Sequence, residues 1–332
     1  RTLLRRDVNA TQFVGVDTYF SGKELYRAAQ LLTLAQQLND NESTATIAKK
    51  LRTELATWLS RDTTRQKKIF TFNTSLKSVV GLEASFGSDE ANDHHFHYGY
   101  FIHAASVLAA YDTDFKDEYA PMINLLVADI ANPKSGEALT QRRSYDAYFG
   151  HSWASGTSPF DDGNNQESSS EAINAWVGVS LWADVINNAE LKDQSAWMLS
   201  NEVSTTASYW LKKPNAAEYQ HSIVSLNWGG KRDYATFFSA AAGAKLGILL
   251  IPLSPMMLQE SVLNRSVVRD QLAEVNNLPT DAYEFQDYLM MYRALIDKNK
   301  AMSDLDALPA TLIDSANSRS YLYAWIHSMR NQ

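Results

Sequence analysis

The sequence predicts an all-α fold of paired amphipathic helices. Two observations carry this: apolar residues recur at spacings of three and four along most of the chain, and only 8 prolines and 14 glycines interrupt 332 residues. Residues 22–39 follow Ser21 and place Leu25, Ala28, Ala29, Leu32 and Ala35 on one stripe that ends near Asn39. Residues 43–60 repeat it with Ile47, Leu51, Leu55 and Leu59. Residues 68–72 alternate too briefly to argue for a sheet. The helical pattern returns over 98–111, 117–131, 166–187, 193–211, 235–250, 280–296 and 318–330, with short loops between. No sharp change of composition marks a boundary. Residues 1–332 are therefore read as one domain: leading helices over 1–90, site-bearing loops and helices over 91–256, closing helices over 257–332. A double ring of about twelve helices suits this length, although periodicity does not display ring closure.

A formal net charge of −8 disfavours nucleic acid, whose phosphates would be repelled, and leaves a neutral substrate unaffected. The absence of cysteine excludes disulfides, thiolate metal sites and cysteine nucleophiles. The longest apolar stretch, around 246–253, is too short to span a membrane and contains Pro252. The chain begins at Arg1 and shows no signal-peptide run in residues 1–20. It is expected to be processed or excised from a longer, secreted or cell-surface protein, and to act as a monomer.

Two stretches depart from the helical pattern, 91–101 and 150–171, each a polar and aromatic loop running into a helix. Glycosidic bond hydrolysis needs one protonated and one ionised carboxyl group, and these stretches hold Asp93, Glu167 and Glu171. Aromatic surroundings would raise the Asp93 pKa, whereas a helix N-terminus would lower it. Glu167 and Glu171, four apart, share one face if both are helical, and Glu171 continues a stripe of Ala175, Gly178 and Trp182 that could point into a cleft. Capping competes with this reading. Asn164-x-x-Glu167 and Ser168-x-x-Glu171 both match a capping box, and Asp is a common N-cap; on spacing alone capping outranks catalysis.

Four of the seven histidines, His94, His95, His97 and His103, fall within ten residues. His95 and His97 with Asp93 would make a partial metal set, but no second cluster of similar density exists, so neither metal nor cofactor is expected. His97, four after Asp93, is read as holding a carboxylate or a sugar hydroxyl. Trp153, Tyr145, Tyr148, Phe149 and Trp228 are candidate sugar platforms, Trp153 foremost; Trp176, Trp182 and Trp210 follow helical periodicity and belong to the core.

The runs Asp93-His94-His95-Phe96-His97-Tyr98-Gly99-Tyr100 and Asn165-Gln166-Glu167-Ser168-Ser169-Ser170-Glu171-Ala172, with 150–156, 228–236 and Pro252-Leu253-Ser254-Pro255, resemble glycoside hydrolase family 81, the endo-β-1,3-glucanases. The resemblance covers roughly residues 90–256. It implies an (α/α)6 toroid and an inverting mechanism with Asp93 as general acid and Glu167 as general base. Glu171 would be a second essential glutamate that shares base duty or holds substrate. It also implies that His97 lies near the acid, that Tyr98 lines the cleft, and that His151, Trp153, Asn165, Gln166, Trp228 and Tyr234 contact the glucan. Inversion calls for an acid–base separation of about 6.5–9.5 Å. The family carries an N-terminal β-sandwich and a small linking domain before its helical domain; here about 90 residues precede the acid motif and they read as helices, so the likeness is to the helical domain alone. That keeps an alternative open, a glucan-binding helical domain with impaired or no catalysis.

Overall fold

The computed structural model describes residues 1–60, 67–212, 217–258, 264–276 and 284–330. Among them are twelve α-helices: α1 Thr2–Ala10, α2 Thr18–Gln37, α3 Asn41–Leu59, α4 His94–Tyr111, α5 Thr113–Ala131, α6 Ser169–Val185, α7 Ala189–Tyr209, α8 Ala242–Gly247, α9 Arg265–Asn276, α10 Gln286–Arg293, α11 Lys298–Ala307 and α12 Arg319–Ser328. Side chains of Asp17, Asp40, Asp112, Asn188, Asp297 and Ser318 accept from first-turn N–H groups and fix where six of them begin. Asp17, not Ser21, starts α2, which moves that helix four residues earlier than its apolar stripe suggests.

The even-numbered helices form a packed series. α2 lies on α4, α4 on α6, α8 on α10 and α10 on α12, and α12 returns to α2. α3, α5, α7, α9 and α11 back onto α2, α4, α6, α8 and α10, while α1 packs on both α2 and α12. One hydrophobic cluster runs from Leu4 to Ile326. α4 and α6 are buried on nearly every side, as core helices are. They approach closely because Gly99 has no side chain: a Cβ there would stand 2.7 Å from Ala175 Cα. Ala175 and Gly178 thus form the seam against α4, and Trp182 donates its Nε1–H to Asn124. The expected cleft-facing stripe is this seam.

Small antiparallel sheets depart from the all-α expectation. β1 Phe70–Asn73 pairs with β2 Ser78–Gly81, because the Asn73 side chain accepts from Ser75 and Leu76 N–H and closes the turn between them. β3 Tyr145–Asp146 pairs with β4 His151–Ser152. β5 Asn165–Gln166, β6 Leu226–Trp228 and β7 Arg232–Asp233 make a third sheet in that order. The helix expected over 166–187 starts at Ser169 because Asn165 and Gln166 pair with Trp228 and Asn227. The one expected over 235–250 contracts to α8; the Thr236 hydroxyl accepts from Ser239 N–H and donates to its carbonyl, closing a turn instead. Of the helix expected over 280–296, residues 280–283 lie outside the described residues, as do 259–263 and 277–279 of the closing segment.

Candidate active site

Backbone contacts bring the two departing stretches together. Asp93 N–H donates to Ala154 O at 2.8 Å, and Ala154 N–H donates to Asn165 O at 2.7 Å. Asn165 pairs in turn with Trp228. Gly156 lies so close to the preceding turn that a Cβ would stand 2.2 Å from Glu90 O. This band sets Asp93 at the mouth of α4 beside Glu167, which links β5 to α6, and Glu171 in the first turn of α6.

None of the three carboxylates is a helix cap. Asp93 is the N-cap residue of α4 by position, yet its backbone is left-handed (φ 57°) and its side chain makes no cap bond. Asn92 Nδ2 donates to its Oδ2 at 2.9 Å. Glu167 precedes the helix, so it does not share a helical face with Glu171, which corrects the i, i+4 expectation. Ser168 makes no side-chain cap bond; its hydroxyl donates to Ile248 O. Glu171 is 2% exposed and accepts from Tyr100 Oη at 2.7 Å.

The electrostatics separate the three groups. Burial, then the charges of Glu167 and Glu171, holds the Asp93 carboxyl well above the usual range, against a small opposing effect of Asn92. Burial and the Glu171 charge push Glu167 up to about 7, opposed by a hydrogen bond from Phe237 N–H. Glu167 Oε2 is enclosed with no partner among the described residues. Burial also raises Glu171, but hydrogen bonds from Tyr100 and Tyr19 and the charge of Lys23 favour its ionised form. All three carboxyls are thus raised, Asp93 and Glu167 by burial and neighbouring negative charge, Glu171 by burial against groups that favour its ionised form.

The remaining expected residues divide. His97 is buried, with Nδ1 2.8 Å from Thr18 Oγ1 and its ring 5.2 Å from that of Tyr19; burial keeps it neutral. Tyr98 does not line a cleft: it is fully enclosed and donates to Val79 O, while Tyr100 reaches Glu171. Gln166 is likewise enclosed, donating to Ser152 Oγ at 2.9 Å, and its side chain supports the loop. Asn165 is buried and acts through its backbone. His151, Trp153 and Trp228 line one cavity of about 560 Å³ with Phe149, Tyr209 and Arg232, and the three carboxylates are not among its walls. Tyr234 stacks on His221 at 3.5 Å, beneath Lys245. Tyr19, Tyr100, Lys23 and Phe237 escaped the sequence reading; only Tyr100 lay within a singled-out motif. Among the described residues no group of three or more His, Asp or Glu side chains is placed to hold a metal ion. His94 pairs with Asp129 at 2.6 Å, and His95 stacks on Trp176.

The family model described as the glycosyl hydrolase family 81 C-terminal domain matches residues 2–326. A glucan endo-1,3-beta-D-glucosidase of Acetivibrio thermocellus is 32% identical over 94% of this chain and 41% of its own length. One from Glycine max is 28% identical over 99% of this chain and 52% of its own. A solved glycoside hydrolase family 81 structure from Clostridium thermocellum superposes with a TM-score of 0.88 at 32% identity, covering 97% of this chain and 47% of that one. The chain thus spans about half the length of these relatives.

Proposed function

The chain belongs to glycosyl hydrolase family 81, and from that premise we propose that it cuts β-1,3-glucan internally and with inversion, Asp93 giving the proton and Glu167 activating water. The observation that carries this is the meeting of three enclosed carboxyls, Asp93, Glu167 and Glu171, at the mouths of α4 and α6. Burial and both glutamate charges hold Asp93 toward its protonated form, while Glu167 is raised to about 7, as an acid–base pair working near neutrality requires. Protonated Asp93 donates to the glycosidic oxygen. Glu167 takes a proton from water on the opposite face of the sugar, and its raised pKa makes it a stronger base. Glu171, whose ionised form is favoured by its donors and Lys23 against burial, supplies the charge that raises Glu167. His97 is neutral and props Tyr19 and Thr18 beside the acid. Further along, the cavity with His151, Trp153 and Trp228 takes a distal sugar on its aromatic wall.

We infer further that the helices close into a single (α/α)6 ring, even-numbered inside and odd-numbered outside; the return of α12 to α2 supports this. A polymeric glucan substrate places the site of action outside the cell or in its wall. No helix among the described residues is long and apolar enough to cross a membrane. The span of about half the relatives' length sustains a second reading, a domain that binds glucan without cutting it.

Proton NMR of the first product from laminarin decides between them. New α-anomeric ends are expected; initial β-anomer excludes inversion, and binding with no new ends favours the second reading. Asp93→Asn is expected to lower turnover by about 10²–10⁴-fold with the fold intact. Near-normal rates in that variant would remove Asp93 from the acid role.

A further inference from the structure

Residues 86–93 contain four left-handed backbone positions: Phe86 (φ 52°), Gly87 (74°), Ala91 (62°) and Asp93 (57°). For a bulky residue such as Phe86 this conformation is strained. Burial does not offset that strain, since Phe86 is 55% exposed. Phe20, 44% exposed, lies 6.1 Å away between ring centroids. Tyr19 presents its ring to both, 5.1 Å from Phe86 and 5.4 Å from Phe20. Behind Tyr19 stand His97 and the hydrogen-bonded Glu171. One amide joins this patch to the acid: Asn92 Nδ2 donates to Phe86 O at 2.8 Å and to Asp93 Oδ2 at 2.9 Å. A strained backbone thus holds an apolar ring half out in water and is clamped to the Asp93 carboxyl, an arrangement that burial does not explain.

We propose that Phe86 and Phe20, backed by Tyr19, form a platform on which the glucan unit beside Asp93 stacks, with Asn92 as the positioning residue that keeps platform and acid together. The proposal rests on the glucanase reading. Its occupant follows from continuity with the carboxylates and from chemistry: a β-glucose ring offers an apolar axial C–H face to the rings, while its hydroxyls stay within reach of polar neighbours. The apolar patch is small and sits at the reaction centre, which suits a sugar ring.

Binding of laminarihexaose is measured by calorimetry in a Glu167→Gln background, where ligand is not consumed, and hydrolysis of laminarin is measured separately in the parent chain. Phe86→Ala is expected to weaken binding about tenfold and Phe20→Ala to weaken it less. Tyr111→Ala serves as the control. That exposed residue ends α4, about 27 Å from Asp93 along the helix axis, and its loss should leave binding unchanged. Asn92→Ala is expected to weaken binding as Phe86→Ala does. In the otherwise unaltered chain it should also move the alkaline limb of kcat/KM to higher pH, because a donor to the Asp93 carboxylate is lost; a merely structural role would leave that limb in place. Binding by Phe86→Ala within twofold of its background overturns the platform, and so does absence of any laminarihexaose binding. Failure of the parent to hydrolyse laminarin, with the Phe86 effect intact, sinks the catalytic reading and leaves the platform standing.

Discussion

Replacing Glu171 by glutamine keeps an acceptor for Tyr100 and removes one negative charge from beside Glu167 and Asp93. The rise of Glu167 from 4.5 to about 7 corresponds to about 3 kcal/mol at about 1.36 kcal/mol per pH unit. Burial is the larger cause and the Glu171 charge the next; a neighbouring like charge is worth about one pH unit, about 1 kcal/mol. The sign follows directly. Without the charge, ionised Glu167 is easier to form, and the acid limb of kcat/KM should move down by about one pH unit. The alkaline limb should move down too, because Asp93 loses one of the charges that hold it protonated. Initial rates of reducing-end release from laminarin between pH 4 and 9 give the profile. If turnover is too slow, carbon-13 titration of the Glu167 carboxyl reports the same quantity. An acid limb that stays put or rises would refute the idea that Glu171 carries charge beside the base.

Two other outcomes are expected. Glu202 is fully buried, accepts from Ser152 N–H, Ser152 Oγ and Trp176 Nε1, and is pushed by burial up to about 8. Its folded pKa lies above the unfolded one, so the stability it contributes is present at low pH and is lost as pH rises from about 4.5 to 8; urea unfolding of Glu202→Gln should decline less than the parent across that window, and equal declines would contradict the assignment. Gly99→Ala forces a methyl group into the α4–α6 seam and should cost about 1–3 kcal/mol in the same assay; a change under about 0.5 kcal/mol would mean that the seam relaxes freely.

Much of the helical content was legible from period alone, as in α3 with its stripe of Ile47, Leu51 and Leu55; the cap at Asp40 emerged only with the fold. The carboxylates were legible as residues but not in their placement. Glu167 leaves the helix because its neighbours pair with a strand about sixty residues later, which no local pattern announces. Tyr98 and Tyr100 stand two apart, and so on opposite sides of α4; only the packing of α6 decides which one meets Glu171. Tyr19 and Phe86 are ordinary residues until the fold sets them beside the acid. The capping boxes failed for the complementary reason: a local motif satisfies a helix end only when no distant group, such as Tyr100 or Ile248 O, claims the same side chain.

The glycine seam also bears on stereochemistry. Asp93 rides six residues above Gly99, about 9 Å, and Glu171 four residues before Ala175, about 6 Å. The two groups are tips of rods pinned just beneath the reaction centre, so the thickness of the pin governs how far the tips stand apart. On the proposed mechanism, one methyl added at the pin would splay them and alter the room left for water, from a place the sugar never touches.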